Sequence, residues 1–329
     1  MTAIEATEVS KRYGTVVALD RVDLTVSEGE IFGFLGPNGA GKTTTIKVFA
    51  TLLSPTAGEI RVNGFDVREQ SRAVRETIGY MAQETSIDPE LTARENLRFA
   101  CEAYGVTGGS RIDELLDLVD LADVADTPAG NFSGGMQKRL DAAMALVHDP
   151  ELVFLDEPTT GLDPKARNRL WDYFERINDT GTTIFLTTQY LEEADALCDR
   201  LAVIRDGELV ADDSPTALKR RVGGARLTVD VEGGTDAVDD AARVARRSDL
   251  LTDDATLDTT EDGLTVATST ATDYGPDLLV ALRDAGVSVT GFDVEEATLD
   301  DVFLTIADEG TDGLDAEHTQ QTAAAGESA

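Results

Sequence analysis

The sequence predicts an α/β fold with two domains, a larger one over residues 3–220 and a small one over 224–308. In the first part of the chain, short apolar runs of strand length alternate with helical stretches, which is the pattern of an α/β domain. After Pro215 the composition changes to a second, shorter set of strands and helices. The 41% of hydrophobic residues is enough to build a core in each domain.

The chain is strongly acidic. Its 329 residues include 63 Asp and Glu against 28 Lys and Arg, a formal net charge of −35, and only 6 of the basic residues are lysines. Proteins hold nucleic acid through Lys and Arg contacts to phosphate, so we expect no nucleic-acid partner. Concentrated salt screens self-repulsion, because the screening length falls from about 10 Å at 0.1 M to about 3 Å at 1 M. We therefore expect a halophilic source.

A glycine-rich turn follows the predicted strand Ile31–Leu35 and precedes a predicted helix over residues 44–53. Its sequence fits the pattern G-x-x-x-x-G-K-[ST], and a strand before it and a helix after it are the context that this phosphate-binding motif requires. Backbone N–H groups of such a turn surround phosphate oxygens, and the helix N-terminus adds partial positive charge. Lys42 is expected to reach the β- and γ-phosphates, and Thr43 to bind Mg²⁺ through its hydroxyl. The predicted phosphate-binding residues are Gly36, Pro37, Asn38, Gly39, Ala40, Gly41, Lys42, Thr43 and Thr44.

A second predicted strand, over residues 152–155, carries two carboxylates at its end, Asp156 and Glu157. Asp156 is expected to hold Mg²⁺. Glu157, one residue on and facing the other way, is expected to orient and deprotonate the attacking water. An acidic strand end taken alone is more often a solvated cap, but a phosphate-binding turn in the same chain favours the catalytic interpretation.

A third signal lies between these strands, where Ser133, Gly134 and Gly135 precede a predicted helix over residues 138–147. A Ser-Gly-Gly sequence at a helix start can bind a phosphate through its N–H groups and hydroxyl, although a plain helix cap is the default interpretation. If this second phosphate site cannot fold back onto the first nucleotide, it must serve the nucleotide of a partner subunit.

The phosphate-binding turn, the Ser-Gly-Gly sequence and the Leu-Asp-Glu-Pro strand end resemble, in their order and separation, the nucleotide-binding domain of ATP-binding-cassette (ABC) proteins. The resemblance covers residues 3–220 and implies a P-loop NTPase-type domain with a helical signature subdomain, which binds ATP and Mg²⁺ and hydrolyses ATP. In the family pattern, Tyr13 matches the aromatic residue that stacks on adenine. Gln83 matches the glutamine that senses Mg²⁺ and the membrane partner, and Asp163 lies in the loop that crosses the dimer interface.

Gln189 stands where most of that family has a histidine. A glutamine can still donate a hydrogen bond to a γ-phosphate, but it takes up no proton near neutral pH. Two interpretations stay open: a slower or differently regulated ATPase, which the retained Glu157 favours, and a site that binds ATP with little turnover. The surrounding Thr-Thr-Gln-Tyr-Leu-Glu-Glu-Ala-Asp resembles the daunorubicin-resistance type of drug-export ATPase, in which this glutamine is usual.

The C-terminal domain supports that branch, because its final Thr-Leu-Asp-Asp-Val-Phe-Leu resembles the end of the drug-export ATPases. Thr298 is expected to cap a helix whose first turn carries Asp300 and Asp301. The domain holds no catalytic constellation, so packing or dimer stabilisation is its expected role, with a regulatory or substrate-linked role as the alternative. Residues 309–329 are polar and small and predict a disordered tail. Strands are predicted at 226–231, 264–268 and 287–294, and helices at 236–247 and 276–285.

One phosphate-binding turn and one Ser-Gly-Gly sequence per chain imply that two chains, identical or homologous, form the ATPase head to tail. The sequence has no run of 18 apolar residues and no signal peptide. We therefore expect a cytoplasmic protein held at the inner face of the membrane by a separate polytopic permease, which residues 85–99 contact. The resemblance thus implies the ATP-hydrolysing subunit of an exporter. A soluble ABC-type ATP switch unrelated to transport, and an ATP-binding module with little turnover, are the alternatives.

Overall fold

The computed structural model describes residues 1–107, 109–221, 225–247, 255–268 and 271–305. The chain divides into two compact units, the first Met1–Ser214 and the second beginning at Pro215. Both units combine helices and sheets, which confirms the predicted α/β class. The predicted tail, residues 309–329, lies outside the described residues.

The first unit contains ten strands and seven α-helices within the described ranges. The strands are β1 (Thr2–Tyr13), β2 (Val16–Ser27), β3 (Ile31–Leu35), β4 (Ala57–Val62), β5 (Phe65–Asp66), β6 (Ile78–Met81), β7 (Leu152–Asp156), β8 (Thr183–Thr188), β9 (Arg200–Arg205) and β10 (Glu208–Asp213). The helices are α1 (Lys42–Phe49), α2 (Ser71–Thr77), α3 (Ala93–Ala103), α4 (Gly109–Leu118), α5 (Gly134–Ala145), α6 (Pro164–Asp179) and α7 (Leu191–Leu197).

Six of these strands form a sheet in the order β10-β9-β3-β8-β7-β6. All neighbours in it are parallel except the edge strand β10, which runs antiparallel to β9. Every residue of β3 and β7 is buried, as expected for parallel strands that are covered on both faces. Because β3, β8 and β7 are neighbours, the loops at their carboxyl ends meet at one edge of the sheet.

A cluster of phenylalanines supports this edge. The ring centroids of Phe32, Phe34, Phe49 and Phe154 lie 5.5–5.8 Å from that of Phe185; the first ring is stacked on Phe185, the second is tilted, and the other two are edge-on. Since these residues come from α1 and from three strands of the sheet, aromatic packing fixes the helix against the strands. The turn between β3 and α1 is therefore held at both of its ends.

A four-stranded antiparallel sheet, in the order β2-β1-β4-β5, was not predicted from the sequence. Its two longest strands have 12 residues each. Their pairing shifts register at four points, and Glu8 within β1 has a φ of 48°. Such bulges interrupt the strict alternation of apolar and polar residues that identifies a strand in a sequence. Apolar residues of this sheet share one core with the Phe185 cluster.

Helices α3, α4 and α5 pack on one another and form the predicted helical subdomain. Helix α3 begins with a capping box, in which Thr92 and Glu95 exchange side-chain and backbone hydrogen bonds. Helix α5 begins after Ser133, whose hydroxyl accepts the N–H of Met136 at 3.3 Å. It starts four residues before the predicted helix, because the two glycines form its first turn rather than a loop. None of the helices in the described ranges is both long and apolar enough to cross a membrane.

The second unit is one antiparallel sheet with two long helices packed on it. Its core contains Leu227 and Val229 from the sheet and Leu278 from a helix. The strands are β11 (Ala225–Val231), β12 (Thr256–Thr259), β13 (Gly263–Thr268) and β14 (Val289–Glu296), in the order β12-β13-β11-β14, and the helices are α8 (Pro215–Arg221), α9 (Gly234–Arg247) and α10 (Ala271–Asp284).

Each predicted strand and helix of this unit is present, and the short helix α8 and the short strand β12 are additions. Helix α10 begins five residues before the predicted start, so that Pro276 lies inside it. The predicted cap at Thr298 is confirmed: its N–H donates to the Asp301 carboxylate at 2.8 Å, and its hydroxyl accepts the N–H of Asp301 at 3.3 Å. Helical residues 299–305 follow this cap.

Candidate active site

The candidate site lies at the carboxyl ends of β3, β8 and β7. In open α/β sheets, ligands bind outside the carboxyl ends of parallel strands. Strand β3 leads into the glycine-rich turn, β7 ends at Asp156, and β8 ends one residue before Gln189. Asp156 pairs in register with Thr187, and Leu35 with Thr188. The topology thus places three of the predicted motifs at one edge.

Two glycines of the turn are required by close backbone contacts. A Cβ on Gly36 would lie 2.3 Å from the backbone oxygen of Ile204, and a Cβ on Gly41 would lie 2.6 Å from that of Ala18. Gly41 also has a φ of 117°, which residues with a Cβ rarely adopt. It immediately precedes α1, whose first backbone N–H groups have no partner within the helix. The turn therefore presents a helix N-terminus to the sheet edge, as a phosphate site requires.

Lys42 is buried, with 4% of its surface exposed. Its Nζ donates to the backbone oxygens of Gly36 and Pro37 at 2.8 and 3.2 Å, and lies 3.4 Å from Oε1 of Glu157. The ammonium thus joins the phosphate-binding turn to the acidic end of β7. A buried cation needs such partners, because an unpaired buried charge costs several kcal/mol of folding free energy.

Asp156 is held by two hydroxyl groups on one of its oxygens. Thr187 Oγ1 donates to Asp156 Oδ1 at 2.7 Å, and Thr43 Oγ1 donates to the same oxygen at 3.2 Å. The second oxygen, Oδ2, is buried and has no hydrogen-bond partner among the described residues. A buried carboxylate oxygen without a donor is unusual, and a cation is one group that satisfies it.

These donors fit Mg²⁺, which binds oxygen ligands and is often held by one or two carboxylates together with substrate phosphates. Thr43 and Asp156 supply a hydroxyl and a carboxylate oxygen at the same place. No group of three or more His, Cys, Asp or Glu side chains suited to a metal occurs within the described part of the chain. A cation at Asp156 would therefore complete its shell with oxygens of phosphate and water.

Glu157 does not continue the alternation of β7. Its φ is 49°, a left-handed conformation that is strained for a residue other than glycine, and only 6% of its surface is exposed. Its backbone N–H donates to the backbone oxygen and to the hydroxyl of Thr187 at 3.0 and 3.2 Å. The expectation that Glu157 faces away from Asp156 is therefore wrong. The backbone turn brings its carboxylate to Lys42, on the same side as the phosphate-binding turn.

Gln83 completes this cluster from the loop after β6. Its Nε2 donates to Oε2 of Glu157 at 3.0 Å, while its backbone oxygen accepts the ammonium of Lys138 at 2.7 Å. Burial lowers the pKa of Lys138, and the charges of Asp141, Asp156 and Glu157 oppose that shift. Lys138 is thus a second buried cation that faces the acidic residues of the site.

The other predicted residues have no described contact with this cluster. Tyr13 is 46% exposed at the end of β1, with the Lys11 ammonium 5.1 Å from its ring centroid. Residues 133–134 and Asp163 are exposed at the starts of α5 and α6, where Asp163 accepts the N–H of Ala166 at 2.9 Å. Gln189 is exposed after β8.

Two residues of the cluster, Thr187 and Lys138, were not predicted. Thr187 lies on β8 and reaches Asp156 because β8 pairs with β7, a contact between residues distant in the sequence, so no motif identifies it. Lys138 comes three residues after Gly135 of the Ser-Gly-Gly sequence, and a lysine on an otherwise buried helix face is the signal that could have drawn attention to it.

Comparison with known families matches both units. Residues 19–160 match the family described as ABC transporter, and residues 214–307 match the family described as ATP-binding protein DrrA1-3-like, C-terminal domain. The chain is 40% identical over 317 residues to the daunorubicin resistance ATP-binding protein DrrA2 of Streptomyces coeruleorubidus, covering 95% of this chain and 98% of that protein. It is 34% identical to the linearmycin resistance ATP-binding protein LnrL of Bacillus subtilis, covering 92% of this chain and 97% of that protein.

Solved structures match the first unit. An ATP-binding subunit of an ABC transporter superposes with a TM-score of 0.61 at 31% identity, covering 68% of this chain and 94% of that one. A dimeric ATP-binding cassette in a post-hydrolysis state with ADP and Pi superposes with a TM-score of 0.59 at 26% identity, covering 64% of this chain and 98% of that one. These likenesses confirm the P-loop NTPase fold.

Proposed function

The chain belongs to the ABC transporter ATP-binding proteins of the daunorubicin-resistance type, and from this we propose that two such subunits close around two ATP molecules and drive a separate membrane permease. It is an ATPase and the ATP-binding subunit of a drug-resistance exporter. The meeting of Lys42, Thr43, Asp156 and Glu157 at one sheet edge is the observation that supports the proposed mechanism most directly.

In this mechanism the phosphate-binding turn holds ATP through its backbone N–H groups, and Lys42 binds the terminal phosphates. Thr43 and Asp156, with Gln83, would hold Mg²⁺, which neutralises negative charge on the phosphates when it is bound. Glu157 accepts a proton from the water that attacks the γ-phosphorus. The bond from that phosphorus to its bridging oxygen breaks, and ADP and inorganic phosphate leave.

The exposed helix starts support a head-to-tail pair. Ser133, Gly134 and Gly135 at the start of α5 and Asp163 at the start of α6 have no described contact with the phosphate-binding turn of their own chain. In the proposed pair they face the ATP held by Lys42 of the other subunit, which is either a second copy or a homologue. ATP then joins the two subunits, hydrolysis releases them, and the closed state is favoured by its higher affinity for ATP.

We place the contact with the permease on residues 85–99, directly after Gln83. Phe99 on α3 is 68% exposed, an unusual position for a phenylalanine on a surface that has no partner. Through this contact the subunit would lie at the inner face of the cell membrane. Relatives named for resistance to daunorubicin and linearmycin and for Nod factor export favour this interpretation over a soluble switch.

The source is proposed to be halophilic. The support is the net charge of −35, together with a basic complement in which lysine contributes only 6 of 28 residues. A surface of this charge repels itself strongly unless concentrated salt screens it.

Replacement of Glu157 by Gln tests the mechanism. The variant keeps the size of the side chain and its contact with Gln83, so we expect ATP to bind as before, while kcat falls about 10²- to 10⁴-fold because the base is lost. Equal hydrolysis by the native chain and the variant, at a rate well above that of ATP without protein, would overturn the proposed role. Equal rates no higher than that background would instead favour the ATP-binding module with little turnover.

Purification from the native host tests the permease. The tagged chain, extracted from membranes in detergent with molar KCl, is expected to bring down a polytopic membrane protein in stoichiometric amount. Recovery from the soluble fraction only, alone or with ribosomes, would contradict the transport role and favour a soluble switch.

A further inference from the structure

Helix α5 holds the segment 83–86 by two side chains. Lys138 and Asp141 are three residues apart on α5 and therefore share one helix face. Lys138 Nζ donates to the backbone oxygen of Gln83 at 2.7 Å. Asp141 Oδ1 accepts the Ser86 hydroxyl at 2.5 Å and the Ser86 N–H at 3.3 Å. Both ends of the segment are thus attached to one rigid element.

Both side chains are buried, with Lys138 9% exposed and Asp141 2% exposed. Burial raises the pKa of Asp141, while the hydrogen bonds from Ser86 and the charge of Lys138 oppose that shift. Buried charged groups are costly without partners, so the contacts with 83–86 are what make these residues tolerable on α5. Helix α5 therefore fixes the position of residues 83–86.

The segment in turn positions a group of the candidate site. Gln83 donates from Nε2 to Glu157 at 3.0 Å, so a displacement of residues 83–86 moves the amide away from that carboxylate. Helix α5 also begins at Ser133, which the proposed function places at the ATP of the other subunit. The contacts therefore run without a gap from the start of α5 to Glu157.

We propose that Lys138 and Asp141 are positioning residues that make α5 and the segment 83–86 one rigid body and thereby hold Gln83 against Glu157. The proposal rests on the proposed catalytic role of Glu157. It assigns to Asp141 a function in ATP hydrolysis, although Asp141 itself contacts neither Gln83 nor Glu157 through a described hydrogen bond.

The test is whether Asp141 acts through Gln83. Asp141→Leu is expected to lower kcat about tenfold, because a buried hydrogen-bonded link is lost, while KM for ATP stays within about twofold since the phosphate-binding turn is untouched. In a Gln83→Ala background the same substitution is expected to cause no further loss of kcat. Equal losses in both backgrounds would overturn the proposal.

Two further variants exclude a general loosening of the fold. Asp141→Asn keeps an acceptor oxygen for Ser86 and is expected to retain most of the native kcat. Arg139→Met is the matched control, because Arg139 is also 9% exposed on α5 but donates to Val119 and Tyr173 instead. Amide hydrogen exchange at Ser86 is expected to speed up in Asp141→Leu and to stay native in Arg139→Met. Faster exchange in both would contradict the proposal.

The remaining outcomes separate this proposal from the proposed function. If Asp141→Leu does not fold, Ser86→Ala replaces it, because it removes the hydroxyl hydrogen bond to Asp141 from the side of an exposed residue. It is expected to lower kcat in the native background and to cause no further loss in the Gln83→Ala background. If the variant that folds, Asp141→Leu or Ser86→Ala, keeps the native kcat while Glu157→Gln is inactive, the positioning role of Asp141 is overturned and the catalytic role of Glu157 stands. An active Glu157→Gln would overturn the catalytic assignment itself.

Discussion

A single buried hydroxyl, that of Thr187, organises both acidic residues at the end of β7. It donates to Asp156 Oδ1 at 2.7 Å and accepts the N–H of Glu157 at 3.2 Å. Thr43 donates to the same oxygen of Asp156. The two hydroxyls thus leave Oδ2 of Asp156 as the oxygen that a cation can bind, and Thr187 fixes the strained backbone of Glu157 as well.

Thr187→Val tests this arrangement, since valine has the same shape and lacks the hydroxyl. Removal of one buried hydrogen-bond partner costs about 1–3 kcal/mol, so we expect kcat for ATP to fall about tenfold and the Mg²⁺ concentration for half-maximal activity to rise. Hydrolysis measured across an Mg²⁺ titration gives both quantities.

Thr187→Ser is the control, because it keeps the hydroxyl and loses only a methyl group. It is expected to hydrolyse ATP with the native dependence on Mg²⁺. If the valine and serine variants show the same kcat and the same Mg²⁺ dependence, the hydroxyl does not organise the site.

At this scale the sequence predicted residues that belong to motifs and missed those that do not. Lys42 and Asp156 were predicted because short-range patterns identify them. Glu157 was predicted with the wrong orientation, because strand periodicity contains no information about a residue with a φ of 49°. Thr187 and Lys138 reach the site through pairing of β8 and packing of α5, which are contacts between residues distant in the sequence.

Among the elements, the turn from β3 to α1 is closely packed against the backbone around it. Gly36 and Gly41 approach the backbone of Ile204 and Ala18 too closely for any Cβ. Gly39, in the same turn, also has a positive φ, of 86°, but a Cβ there would meet nothing within 4 Å. A comparison of Gly39 with Gly41 therefore separates the cost of a positive φ from the cost of a steric clash.

Gly41→Ala is accordingly expected to destabilise the first unit more than Gly39→Ala. Left-handed backbone costs about 1–2 kcal/mol for alanine, and in a unit of this size 1 kcal/mol lowers the thermal midpoint by about 2–4 °C. We expect a loss of that order for Gly39→Ala and a larger loss for Gly41→Ala, measured without nucleotide. Equal midpoints for the two variants would contradict the role assigned to the contact with Ala18.

Strands and helices were predicted best where the pattern that identifies them lies within a few neighbouring residues. Strand β3 was predicted with its observed bounds, since a continuous apolar run followed by a glycine-rich turn identifies a buried parallel strand. The bulged pair β1 and β2 was not, because register shifts hide its alternation. Helix α5 begins earlier than predicted, since its capping serine and two glycines resemble a loop in sequence.

For the whole molecule, the dominant physical property is its net charge of −35. Many of the acidic groups that pair with arginine do so at the surface, as Asp126 with Arg94 and Asp149 with Arg111, where both carboxylates are more than four-fifths exposed. Surface ion pairs contribute little to folding free energy and weaken with salt. Salt also weakens the repulsion among the carboxylates that have no basic partner. Because acidic residues far outnumber basic ones, we expect the loss of repulsion to outweigh the loss of ion pairing, so that salt stabilises the fold.

Thermal unfolding in KCl measures this balance. We expect the midpoint to rise by about 4 °C or more between 0.1 and 1 M, equivalent to about 1 kcal/mol or more for a unit of this size, because the screening length falls from about 10 to 3 Å over that range. Sucrose is the control, since it stabilises by exclusion from the protein surface and screens no charge. A screening effect is steepest below 1 M, where sucrose of equal osmolality does little, whereas exclusion grows steadily with concentration for both solutes. A midpoint that stays constant in KCl, or that follows the sucrose curve, would mean that the acidic surface is not an adaptation to salt.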